Sequence, residues 1–399
     1  MTETDLPDDV LAGVLVQATA WRHALHEIAE TARQEHETAA FIARTLGELG
    51  LEVTTDIGGT GVVGTLRREA ATGSTTPIIA LRADMDGLPL TERSGLPYSS
   101  RHEGSMHACG HDGHMAMVLG AAAALAADDG FTGTARFLFQ PAEEPGTGAI
   151  AMLDDGLLSR LPIDMIFGLH NIPGLPAGHL ATRPGPIMAG EDNFVITITG
   201  RGGHASAPHL VVDPLVAAAA VVTGLQTIVA RNTDPLSSAV LSCTNLRTDG
   251  ARNAIPTEVV ITGDTRNFDP EVSALLERRI RELSTAIARA HGATATVEYT
   301  REFATTANDP EATRRAVDAA RAIAASPHDV DGECAPIMAS EDFGRYADVI
   351  PANFTFIGNG ASGQPGGTPL HSHDYRFNDE VLSTGIRYYV ALIRSFANG

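Results

Sequence analysis

Residues 11–50 repeat apolar positions at helical spacing and stop at Gly50, a residue suited to a helix C-cap. Short apolar runs then alternate with helical stretches. Residues 77–82, 134–140 and 163–169 read as strands, and a helix is expected after His114, starting near Gly113. This alternation predicts an α/β layer with a largely parallel sheet. From about Glu191 the texture changes. Residues 193–199 alternate as a half-buried strand does, and 214–231 read as a long helix. Two more alternating runs follow at 239–246 and 258–266, then a charged helix over 271–290 and a strand over 294–299. The order β-α-β-β-α-β predicts a ferredoxin-like α+β unit. The α/β texture returns near Asn308, with a strand at 354–358, so the small domain reads as an insertion. The expected boundaries are 1–187 and 305–399 for the large domain and 188–304 for the insert.

Composition narrows the chemistry. The chain has 399 residues and a net charge of −21, and all 28 of its basic residues are arginine. Without lysine there is no Schiff base, no P-loop amine and no lysine general base. A strongly acidic chain is a poor partner for nucleic acid or an anionic membrane surface. Residues 1–10 carry acids where a signal peptide would be basic and then apolar, and the apolar run 115–127 is too short to span a bilayer. Cys109, Cys243 and Cys334 lie far apart, unlike a disulfide framework. A cytoplasmic protein is expected. The glycines of 58–64 run into a strand-like stretch, which argues against a dinucleotide loop.

Several segments carry candidate chemistry. In 106–114, M-H-A-C-G-H-D-G-H, a thiol and an imidazole stand two residues apart between glycines, and both are ligands for zinc-like metals. Cys109 also reads as an inert buried thiol or as a nucleophile paired with histidine. In 139–148, F-Q-P-A-E-E-P-G-T-G, Glu143 and Glu144 adjoin at the end of an expected strand. Two carboxylates there are costly unless a cation accepts one, leaving the other as a base. His170 ends an apolar strand, and His371 and His373 share a loop rich in Gly and Pro. Spacing does not choose between these last two.

These segments resemble the metal-dependent amidohydrolases that include hippurate hydrolase, N-acyl-amino-acid amidohydrolases and indole-acetyl-amino-acid hydrolases. They form a branch of the aminoacylase and carboxypeptidase family of metallopeptidases. The matching stretches are LRADMDGLPL (81–90), MHACGHDGH (106–114), FQPAEEPGTGA (139–149), FGLHNIPGLPAG (167–178), GRGGHASAPH (200–209), RNAIP (252–256), SEDF (340–343) and LHSHDYRFND (370–379). The resemblance implies a zinc-exopeptidase-like catalytic domain, with a mixed, mostly parallel sheet and flanking helices, and an inserted dimerisation or lid domain. It implies metal ligands at Cys109, His111, Glu144, His170 and His371, holding one or two divalent ions, zinc or manganese. Glu143 becomes the general acid/base. His204 and Asn253 become contacts for the scissile carbonyl, with His204 reaching a partner subunit's site in a homodimer. Arg266 is a weaker candidate for holding a substrate carboxylate, and Asp86 for orienting a ligand imidazole. Where relatives read His-x-His-Pro-Glu near the start, this chain reads His26-Glu27-Ile28-Ala29-Glu30, which puts that segment's part in a substrate pocket in question.

The implied reaction is hydrolysis of the amide bond of N-acyl amino acids, giving a carboxylic acid and a free amino acid. The alternatives are a dipeptidase or carboxypeptidase of the same superfamily, a catalytically silent relative, or a Cys109 nucleophile.

Overall fold

In the computed structural model, which describes residues 8–68 and 76–397, the chain forms two units. The first holds residues up to Ile187, Thr306–Pro336 and Asp342 onward; the second holds Met188–Thr305 and Ile337–Glu341. The acidic start, residues 1–7, lies outside the described residues.

The first unit begins with α1 (Asp8–Glu27), α2 (His36–Glu48), β1 (Glu52–Ile57), β2 (Gly61–Arg68), β3 (Ile78–Asp84), α3 (His111–Ala126) and β4 (Gly133–Gln140). It continues through α4 (Gly148–Asp154), α5 (Leu157–Arg160), β5 (Met165–Pro173), β6 (Leu180–Ala181) and β7 (Gly185–Met188). The second unit contributes β8 (Gly190–Thr199), β9 (Gly203–His204), α6 (Pro214–Arg231), β10 (Ala239–Thr248), β11 (Ala254–Ile255), β12 (Glu258–Asn267), α7 (Pro270–Ala290) and β13 (Thr294–Phe303). The chain then returns through β14 (Thr306–Asn308), α8 (Pro310–Ile323), β15 (Val330–Asp331), α9 (Gly344–Ala347), β16 (Ala352–Gly360) and α10 (Leu382–Ala397).

The large sheet has the order β1-β2-β4-β3-β5-β16-β6-β15. Its centre, β4-β3-β5-β16, is parallel, and β1 and β2 pair antiparallel at one side. These central strands are almost wholly buried, the expected state of parallel strands covered on both faces. Helix α3 is buried from His111 to Leu125. Its run Met115–Leu125 is apolar around the whole circumference, which suits an interior helix. It packs with Leu25, Phe137, Ile386 and Leu392 in the main core.

Two expectations are corrected. The helical pattern over 11–50 is two helices, because residues 28–35 pair with distant backbone: Thr31 bridges Gly87, and Gly87 N–H donates to the Glu30 carbonyl at 2.6 Å. Tertiary pairing overrides local periodicity here. Helix α3 starts at His111 rather than near Gly113, because Gly110 occupies the N-cap position at φ 90°.

The second unit has a four-stranded antiparallel sheet, order β10-β12-β8-β13, with α6 and α7 packed on it through Ala217, Val221, Leu225, Leu276 and Ile280. By length and composition α6 could cross a membrane, yet its Ala217–Val221–Leu225–Ile228 stripe belongs to this core. On α7 the charges form a solvated face with the pairs Arg281–Glu277 and Arg279–Glu282. Helices α6, α7 and α8 start alike: Asp213, Asp269 or Asp309 accepts a first-turn N–H and proline follows.

Candidate metal centre

At the carboxyl ends of β3, β4 and β5 the first unit gathers most of its candidate side chains, the edge where parallel sheets place their sites. After β4, Ala142 takes φ 49°, a left-handed conformation that costs an L-residue roughly 1–2 kcal/mol. The next two N–H groups, of Glu143 and Glu144, donate to Asp86 Oδ1 and Oδ2, each at 3.0 Å. That clamp fixes where the paired carboxylates leave the chain. Opposite them, the Cys109-Gly110-His111 turn runs tightly against β5. A Cβ on Gly110 would sit 1.8 Å from Asn171 Oδ1, so only glycine fits. Asn171 Nδ2 in turn donates to the Cys109 carbonyl at 3.2 Å. His371 enters from the loop after β16 at φ 61°, its N–H donating to the Ala108 carbonyl at 2.9 Å.

These constraints bring Cys109, His111, Glu144, His170 and His371 together. Cys109 Sγ lies 3.4 Å from His170 Nε2. Glu144 Oε1 lies 3.9 Å from His111 Nε2 and 3.7 Å from His371 Nε2. Glu143 Oε2 is 3.9 Å from His111 Nε2. Ligating atoms of Cys109, Glu144 and His371 fall within 4.8 Å of one another, as do those of His111, Glu143 and Glu144. Hydrogen bonds set the imidazole faces. His111 Nδ1 donates to the Asp86 carbonyl and His170 Nδ1 to the Asn171 carbonyl, each at 2.8 Å, which leaves both Nε2 lone pairs facing inward. His111 Nε2 and Glu144 Oε1 are buried with no hydrogen-bond partner among the described residues. Orphaned acceptors beside a thiol fit a divalent cation.

The field agrees. Burial, and beyond it Asp86 and Asp84, push the Glu144 carboxyl up to about 7 despite His111. Burial and Glu144 push the Cys109 thiol well up, the reverse of what an activated nucleophile needs. Burial together with His114 and His111 holds His170 well below the ordinary imidazole range, hence neutral with a lone pair to give.

Most other candidates fall elsewhere. Asp86 lies against His111 as expected, its carbonyl accepting from Nδ1 and its Oδ1 3.6 Å from the same nitrogen, and its carboxylate also positions the Glu143–Glu144 turn. Arg266, expected as a weaker candidate for a substrate carboxylate, is already paired within its own unit. Its Nε binds Asp264, its NH2 binds Glu191 at 2.7 Å, and its NH1 donates to the Met338 carbonyl and Ser340 Oγ. Two acids of its own unit have taken the donors. His204 and Asn253 are exposed on the ribbon where β9 pairs with β11, His204 opposite Ala254. Ser206 N–H and Oγ both contact His204 Nδ1, leaving Nε2 as the outward donor. His373 turns away, its Nδ1 on the Thr91 carbonyl at 2.6 Å. In the altered segment, His26 is buried between Asp112 and Glu92, and Glu30 accepts the N–H groups of Glu37 and Thr38 at the start of α2.

One further imidazole, that of His114, stands at the site. It is buried, donates from Nδ1 to Asp84 Oδ1 at 2.7 Å and accepts the Asn171 N–H on Nε2 at 3.0 Å. Both its nitrogens are hydrogen-bonded, although it lies in a cluster with Asp84, His111 and His170. Its place three residues after His111, on the same helix face, was the available signal.

Comparison with known proteins agrees with this geometry. Residues 80–395 match the model of peptidase family M20/M25/M40. The chain is 41% identical to N-acetyl-L-cysteine deacetylase of Bacillus subtilis over 84% of this chain and 79% of that protein. It is 38% identical to hippurate hydrolase of Campylobacter jejuni over 93% and 94% of the two chains. Among solved structures it is similar to the Bacillus subtilis YXEP protein, described as a dinuclear metal binding peptidase (TM-score 0.83, 31% identity, 97% and 99% covered).

Proposed function

We propose a function from one premise: this chain belongs to peptidase family M20/M25/M40. It is a metal-dependent amidohydrolase that cleaves the amide bond of N-acyl amino acids, releasing a carboxylic acid and a free amino acid. One observation carries the reading. Five donors of the right kinds converge with two orphaned, buried acceptor atoms, and a second carboxylate, Glu143, stands beside them.

Cys109, His111, Glu144, His170 and His371 would hold one or two divalent ions, zinc or manganese. Such ions supply Lewis acidity, lowering the pKa of water toward neutrality and polarising an amide carbonyl. Glu143, with its N–H clamped by Asp86, takes the proton of the attacking water and returns it to the leaving nitrogen. Asn171, whose backbone N–H donates to His114 and whose carbonyl accepts from His170, keeps the His170 ring in register. His204 offers an outward Nε2–H and stands next to Asn253 in the ribbon; both are assigned to the developing oxyanion, His204 in a partner's site. We further infer a homodimer formed through the second unit. There β10 is an edge strand, and Leu215, Val216, Leu236 and Leu246 are exposed. The three free cysteines suit a reducing, cytoplasmic setting.

The test is release of amino acid from N-acetyl, N-benzoyl and longer N-acyl amino acids and from dipeptides, with chelator and metal-return arms. Release from acyl substrates that is lost to chelator and restored by Zn²⁺ or Mn²⁺ is expected. Cleavage of dipeptides alone would favour the peptidase reading, no release from any substrate would overturn the proposal, and activity indifferent to chelation would restore the Cys109 nucleophile.

A further inference from the structure

The turn after β4 presents three successive N–H groups to side-chain carboxylates. Asp86 takes those of Glu143 and Glu144, and Glu35 takes that of Ala142, on Oε1 at 2.9 Å. Glu35 lies far from this turn in sequence, at the N-cap position of α2, and is fully buried. Its carboxylate makes no capping bond to its own helix. Glu30 does that work, accepting the Glu37 and Thr38 N–H groups. Glu35 instead accepts the Arg33 N–H on Oε1 at 2.9 Å and the Thr60 hydroxyl on Oε2 at 2.7 Å. No arginine or histidine side chain pairs with it among the described residues. A buried carboxylate without a counter-ion is costly, so one that spends itself on hydrogen bonds to three separate segments needs a reason.

Ala142 supplies the reason. At φ 49° it sits in a conformation alanine does not choose, so the turn depends on its partners. Glu143 and Glu144 follow immediately. A cavity of about 210 Å³, lined in part by Arg33, Thr60 and Pro141, adjoins the anchor and gives the turn room to relax if it is cut.

We propose that Glu35 is a positioning residue: through the Ala142 N–H it holds the turn in the conformation that aims Glu143 and Glu144 at His111 and His371. The proposal rests on the reading of Glu143 as base and Glu144 as ligand. Its test compares Glu35→Ala, Glu35→Gln and Thr60→Val with the wild type for kcat and KM on a cleaved N-acyl amino acid, Zn²⁺ affinity by chelator competition, and thermal midpoint. Glu35→Ala is expected to lose about 10–100-fold in kcat and in Zn²⁺ affinity, with KM nearly unchanged. Glu35→Gln restores both, because the amide oxygen accepts the two N–H groups and the amide nitrogen donates to Thr60. A lowered midpoint with wild-type kcat and Zn²⁺ affinity would overturn the proposal, and so would a glutamine variant as impaired as the alanine one. If Glu35→Ala does not fold, Thr60→Val is expected to show a smaller loss of the same two quantities, and wild-type values there overturn it. If the wild type cleaves no N-acyl amino acid, the functional reading fails, and Zn²⁺ affinity still decides the role of Glu35.

Discussion

His111 and Asp112 are consecutive in α3, and they enter two different buried clusters of the first unit. Asp112 meets Arg22 at 3.0 Å and His26 at 2.8 Å, while His26 reaches Glu92 at 3.2 Å and Arg22 also pairs with Asp379. Every cation there faces a carboxylate, and the charges close on themselves. His111 meets Asp84, Glu143 and Glu144 only at 3.8–3.9 Å, and its Nε2 is left over. Both clusters are largely buried and both mix imidazoles with acids. The difference lies in distance: the first closes its pairs at 2.8–3.2 Å, whereas the second gathers carboxylates around His111 at 3.8–3.9 Å. A closely paired buried network holds a fold together; an acid-rich one whose members stand apart leaves room for a cation.

Three substitutions would break or sharpen that contrast. The largest effect is expected from Glu143→Ala, which should lower kcat by roughly 10²–10⁴ while metal content by elemental analysis stays at the wild-type level. Substantial residual turnover would place the base elsewhere. Next, Asp112→Asn leaves Arg22 and His26 buried with one fewer anion and should cost about 3–5 kcal/mol in urea unfolding, without loss of bound metal. Its pH dependence is directional. Burial lowers the affinity of His26 for its proton, but Asp112 and Glu92 more than offset this and raise it from 6.5 to about 9. The stability from that charge is therefore complete below 6.5 and is lost as pH rises through about 9. Calorimetric midpoints across that window should fall for the wild type and fall less for Asp112→Asn. The smallest effect belongs to Arg266→Gln. Its ion pairs are partly exposed, so a stability loss of about 0.2–1 kcal/mol and a nearly unchanged KM are expected. A large rise in KM would return Arg266 to the substrate.

Much of this was legible in the chain. The order of elements follows from hydrophobic period, and the limits of α6 and α7 from Asp-Pro pairs that cap a helix and open it in one step. The donors Cys109, His111, Glu143, Glu144 and His170 announce themselves because each ends an apolar strand or flanks a glycine. Periodicity failed at residues 28–35, where the backbone pairs with Gly87, and nothing in the chain announces that Arg266 pairs with two carboxylates of its own unit.

By itself, then, the sequence determined which side-chain atoms were available: thiol, imidazoles and paired carboxylates, no lysine amine, on elements whose order it also specified. Only the tertiary structure decided which of those atoms are free. His111 and His114 share a helix face, yet His114 is consumed by Asp84 and the Asn171 backbone while the Nε2 of His111 is left without a partner. His371 and His373 share a loop, yet the Thr91 carbonyl takes one and Glu144 faces the other. A residue's chemistry is local, but whether its last lone pair is spent depends on partners brought from elsewhere in the chain, and folding alone assembles them.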